Sequence, residues 1–106
     1  MEDVPTISTH VLDTERGQPA QGIEIRLFRV TEGASEQVGG GTTDADGRIR
    51  NVLGGPLTEG EYQLEFSVDG PFFRRAAINF VVSDTTRSYH VPLLLAPYSL
   101  ATYRGS

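Results

Sequence analysis

Apolar and polar positions alternate with a period of two along most of the chain, the pattern of strands that bury one face. The cleanest run is 62–68, where Tyr62, Leu64, Phe66 and Val68 alternate with Gln63, Glu65 and Ser67. In 76–82, Ala76, Ile78, Phe80 and Val82 share a face, and Ile23, Ile25 and Leu27 alternate with Glu24 and Arg26. Phe28 and Val30 then change parity, which predicts a bulge. Further strands are predicted at 6–13, 37–43, 48–53, 87–96 and 99–104. Turn clusters separate them: Glu15-Arg16-Gly17-Gln18-Pro19, Asp44-Ala45-Asp46-Gly47, Gly54-Gly55-Pro56 and Asp69-Gly70-Pro71. Segment 32–41 reads as a flexible loop. No window carries a 3.6-residue stripe, so little or no helix is expected. Seven or eight short strands punctuated by Gly and Pro predict an all-β protein, an antiparallel sandwich of two sheets.

One strand departs from simple alternation. In His90-Val91-Pro92-Leu93-Leu94-Leu95 both faces are apolar, whereas a two-sheet sandwich turns one face of each strand to water. Pro92 and Leu94 are therefore expected on the outer surface. Burying such a side chain stabilises by roughly 1.5–3 kcal/mol, so this outer face is expected to pack on another subunit.

Length and charge narrow the partners. A chain of 106 residues supports one core and leaves no room for a second domain. The expected unit is a single domain over 1–106, with 1–5 disordered. Fourteen acids against nine bases give a net charge of −5, with no basic run, which argues against nucleic acid and anionic membranes as partners. All nine bases are Arg, so neither a Schiff base nor a Lys general base is available. With no Cys, thiolate nucleophiles and zinc-thiolate sites are excluded as well. The start, Met1-Glu2-Asp3-Val4-Pro5-Thr6, lacks the positive and apolar regions of a signal peptide, and a cytoplasmic location is expected.

Candidate chemistry centres on three side chains. His10 and His90 are the only histidines, and neutral imidazole is the default acid or base near pH 7. Either one alone reads as a structural strand residue. If Tyr89, Val91 and Leu93 fill the core, His90 points outward, and His10 joins it if the two strands are neighbours. The turn Asp44-Ala45-Asp46-Gly47 delivers Arg48 to a strand start, offering a planar fork for anions and ureide-like groups. As a calcium loop it fails, because its acids stop too early. Gly39-Gly40-Gly41 has no following helix or Lys to cradle a phosphate, Arg74-Arg75 reads as a solvated pair, and no ligand spacing supports a metal site.

Four segments in order resemble one family. Ile7-Ser8-Thr9-His10-Val11-Leu12-Asp13 is similar to the opening strand of the transthyretin-related 5-hydroxyisourate hydrolases. Thr43-Asp44-Ala45-Asp46-Gly47-Arg48 resembles their Arg-bearing turn, and Tyr89-His90-Val91-Pro92-Leu93-Leu94-Leu95 their second His strand. Tyr103-Arg104-Gly105-Ser106 matches the tetrapeptide that separates them from the hormone carrier transthyretin.

The resemblance implies a transthyretin-like sandwich of two four-stranded sheets, assembled as a homotetramer (a dimer of dimers) with sites in a channel between dimers. It implies hydrolysis of 5-hydroxyisourate to 2-oxo-4-hydroxy-4-carboxy-5-ureidoimidazoline, by water attack on the cyclic amide, with no cofactor. His10, Arg48, His90 and Ser106 would be catalytic, and His10, Arg48 and Tyr103 would bind substrate. Either His could be the base. Three places depart from the family pattern: 69–75 is too short for its usual helix, Ser88 stands where His is common, and Ser99-Leu100-Ala101 replaces Gly-Tyr-Ser. A carrier of a small aromatic ligand and a structural β-sandwich module are the other readings.

Overall fold

The computed structural model describes residues 4–106. The disorder expected at 1–5 falls outside the described residues for 1–3; Val4 is exposed and neither it nor Pro5 joins a strand. Among the described residues there is no helix. Ten strands form two sheets packed face to face.

In one sheet, β3 (Glu24–Thr31), β4 (Ala34–Thr42), β6 (Gly60–Ser67) and β7 (Ala76–Val82) lie in the order β4-β3-β6-β7, all antiparallel, so two hairpins meet where β3 pairs with β6. Its inner face carries the predicted alternation, with Ile25, Leu27, Tyr62, Leu64, Phe66 and Val82 buried. The second sheet is built on β1 (Ile7–Asp13), with path β10-β9-β1-β2 from β2 (Gln18–Pro19), β9 (Leu93–Ala96) and β10 (Ser99–Thr102). Two-residue strands β5 (Arg48–Ile49) and β8 (Tyr89–His90) pair with β1 off that path. Ile7, Val11, Tyr89, Val91 and Leu93 point from this sheet into the shared core. The chain forms a transthyretin-like sandwich of two sheets, as expected, but the β1 sheet has six strands rather than four, and β1 runs parallel rather than antiparallel to β8 and β9.

Several details differ from expectation. The segment 32–41 is not a loop: a turn at Glu32 and Gly33 leads directly into β4. Its glycines serve a close crossing. The Gly40 amide donates to the Val52 carbonyl (2.9 Å) and the Gly54 amide to Val38 (2.8 Å), and a Cβ on Gly39 would collide with the Val52 carbonyl. The bulge occurs at the predicted place, between Leu27 and Phe28, but Val38 of β4 is the extra residue. The backbone of β3 keeps its alternation, so Phe28 faces out and Arg29 faces in, with its guanidinium over the Tyr62 ring (5.2 Å) and hydrogen-bonded to the Thr58 hydroxyl.

The segment 87–96 is split in two by Pro92, which contributes no amide to a ladder. Pro92 is buried within the protomer rather than exposed; its carbonyl accepts from the Thr102 hydroxyl (2.7 Å), and Thr9 donates to the adjacent Val91 carbonyl (2.7 Å). Leu94 is only half-buried, so the outer apolar face is narrower than the sequence pattern suggests. Where the family helix was expected to be missing, a tight turn stands instead, with Asp69 left-handed (φ 47°) and its amide donating to the Arg74 carbonyl (3.1 Å).

Candidate active site

β1 organises the site because it has different partners along its two edges. On one edge it runs parallel to β8, with Ser8 opposite His90; on the other it runs antiparallel to β5, with His10 opposite Arg48. Residues directly opposite in a ladder project to the same side. Ile7, Thr9 and Val11 point into the core, so Ser8, His10, His90 and Arg48 all project from the outer face. Groups 82 residues apart in sequence thus become neighbours, and Tyr89, Val91 and Leu93 fill the core as the outward orientation of His90 requires.

Each side chain is placed by local backbone chemistry. The Asp44 carboxylate accepts from the Asp46 and Arg48 amides (2.9 and 3.0 Å), folding the turn back on itself, and Gly47 closes it at φ 73°. The Gly47 carbonyl then accepts from the Val11 amide (2.8 Å), clamping the turn to β1 and setting Arg48 beside His10. The bond from the Arg48 amide is the main cause that holds the Asp44 carboxyl below its ordinary pKa. At the other end, the Gly105 amide donates to the His90 carbonyl (2.8 Å), which brings Ser106 alongside. The Arg104 guanidinium lies over the Tyr89 ring (4.7 Å) and anchors the tail from the other side.

A cavity of about 660 Å³ opens on this face, and Ser8, Arg48, Arg50, Ser88, His90 and Ser106 contribute to its wall. Among the described residues its wall carries two guanidiniums, Arg48 and Arg50, which suit an anionic ligand. His90 is half-buried, and its Nδ1 lies 2.9 Å from the Ser8 hydroxyl. Burial, and then Coulombic repulsion from Arg48 and His10, depress the imidazole pKa below its ordinary value, while a hydrogen bond to the Ser8 backbone pulls the other way. Among the described residues no three His, Asp or Glu side chains gather as a metal-ligand set.

Of the five residues singled out from sequence, Arg48, His90 and Ser106 line this cavity. His10 stands beside Arg48 in the ladder but is not part of the cavity wall. Tyr103 is elsewhere: it is 57% exposed and lines a separate cavity with Ile78, Phe80, Tyr89 and Arg104. The tail reaches His90 only at Gly105, so two residues earlier it still runs past β7. Ser8 and Arg50 were missed, because a strand Ser and a strand-end Arg carry no signal until their neighbours are known. Ser88, noted from sequence only as a departure, also lines the cavity and accepts the Thr6 amide (2.9 Å).

Residues 7–105 match the model of the HIUase/Transthyretin family. A 5-hydroxyisourate hydrolase of Deinococcus radiodurans is 41% identical over 119 aligned positions, covering all of both chains. The structure of Klebsiella pneumoniae 5-hydroxyisourate hydrolase superposes with a TM-score of 0.84 at 37% identity, covering 95% of this chain and 99% of that one. Sea bream transthyretin in complex with thyroxine superposes equally well (TM-score 0.86; 93% of each chain) but at 27% identity. Backbone shape therefore does not separate the two branches, whereas sequence leans toward the hydrolases.

Proposed function

The chain belongs to the HIUase/Transthyretin family, and from that premise we propose that it hydrolyses 5-hydroxyisourate in urate degradation, at the cavity built around β1. The observation that carries this reading is the register of β1: His90 and Arg48, on strands flanking its two edges, converge on one cavity that Arg50 and Ser106 also line.

Opening a ring amide with water takes a base for the water, a donor for the developing oxyanion and a proton for the departing nitrogen. His90, neutral at pH 7, takes the proton from water, and the hydroxide adds to the ring carbonyl carbon. The Arg48 guanidinium binds the substrate anion and stabilises charge on the former carbonyl oxygen. As the intermediate collapses, the C–N bond breaks and the nitrogen receives the proton held on the imidazolium, leaving a ureido group and a carboxylic acid that loses its proton to solvent. The Ser106 hydroxyl holds the water. His10, beside Arg48, supports the guanidinium side of the site. The functional assembly is a homotetramer, with this outer sheet face lining a channel between dimers.

Turnover number separates catalysis from carriage. Generated in situ by urate oxidase and supplied in large molar excess, 5-hydroxyisourate should lose its ultraviolet absorbance faster than it decays spontaneously, with many equivalents consumed per protomer. Decay at the spontaneous rate, with at most one equivalent held per protomer, contradicts the reading and supports a carrier.

A further inference from the structure

His90 is the residue whose chemistry depends most on which ring nitrogen carries its proton, and its surroundings fix that choice. Nδ1 is 2.9 Å from the Ser8 hydroxyl, directly across the β1–β8 ladder. The opposite side of the ring is closed by the tail: a Cβ on Gly105 would collide with Cδ2 of His90 and crowd Cγ. The ring therefore has little freedom to flip. Among the described residues Nε2 has no hydrogen-bond partner in the protein, while Arg48 and His90 line the same cavity. A guanidinium on the cavity side repels an N–H dipole and attracts a lone pair. An imidazole that donates through one nitrogen leaves the other as acceptor.

We propose that Ser8 is a positioning residue that accepts a hydrogen bond from Nδ1–H of His90, holding the ring in the tautomer whose Nε2 lone pair faces the cavity, with Gly105 as the backstop. Resting on the hydrolase reading, the proposal explains why His90 rather than His10 acts as base. Ser8 touches neither water nor substrate in this role; it acts through the ring. Its partner in the pair comes from the other end of the chain, so the β1–β8 register itself sets the tautomer.

The ring ¹⁵N shifts of His90, read near pH 7 on labelled protein without substrate and assigned with a His90→Gln variant, test it directly. The expected wild-type spectrum shows a protonated Nδ1 and an unprotonated Nε2. Ser8→Ala should move His90 toward the Nε2–H form that free imidazole prefers, and Ser8→Thr, which keeps the hydroxyl, should not. In turnover, Ser8→Ala should lower kcat roughly tenfold with KM little changed, less than removing the positioned base itself would cost, while Ser8→Thr stays near wild type. A protonated Nε2 in the wild type, or an unchanged tautomer in Ser8→Ala, overturns the proposal whatever the activity. The spectra need no substrate, so failure of the hydrolase reading would appear separately, as wild-type protein without turnover.

Discussion

The imidazole of His90 owes its depressed pKa first to burial and then to Coulombic repulsion from two groups on different strands, Arg48 of β5 and His10 of β1. Its folded value therefore lies below the ordinary 6.5, and the base form persists into mildly acid solution. For a reaction that needs the neutral ring, activity is full above the depressed value and falls only as pH drops through it. The acid limb of kcat/KM should accordingly lie below 6.5; a limb at or above 6.5 would remove His90 as the base. Arg48→Ala, which deletes one of the depressing charges, should move that limb upward while reducing the rate. Arg48, His90 and Ser106, which line the cavity, and His10 beside Arg48 stood out through the family resemblance because they sit in recognisable segments. Ser8 was in plain view inside one of those segments, yet its role depends on a partner 82 residues away. Tyr103 was carried along with its tetrapeptide, although the chain turns toward His90 only after it.

Among the elements, strands with one buried face were legible and edge elements were not. β6 and β7 read directly, because Leu64, Phe66 and Val82 sit on one side of polar neighbours. β4 is an edge strand whose residues are mostly exposed on both faces, so no alternation marks it and its glycines mimic a loop. β2 hides in a Gln-Pro dipeptide of turn composition. The predicted strand 48–53 shrinks to β5 because the chain leaves β1 to cross β4 at Gly39. That crossing is testable. Gly39→Ala forces a Cβ against a backbone carbonyl that has nowhere to go, an overpacking that should cost about 1–3 kcal/mol and lower Tm by at least about 4 °C. Gly55→Ala, where a Cβ meets nothing within 4 Å, should stay within about 0.5 kcal/mol of wild type. Equal stability of the two variants in thermal unfolding would show that the crossing is not held as tightly as its hydrogen bonds suggest.

For the whole molecule, the inner faces of both sheets make the core and the outer face of the β1 sheet makes the site. Every second residue of β1 serves one purpose and every other residue the other: Ile7, Thr9 and Val11 hold the sandwich together, while Ser8 and His10 project from the outer face, where the proposed site lies. A one-residue slip in register would exchange the two sets, so the fold and the site are specified together. The period-two pattern was enough to read the sandwich, but which strands flank β1 depends on long-range pairing that no local pattern encodes. The most direct test of the account is the rate at which in situ 5-hydroxyisourate disappears with His90→Ala, Arg48→Ala and His10→Ala, each first shown to keep the wild-type assembly by sedimentation. The account predicts that each variant slows turnover at least about tenfold, in line with the loss of a positioned acid-base or charge-stabilising group. Turnover close to wild type in His90→Ala or Arg48→Ala would contradict it.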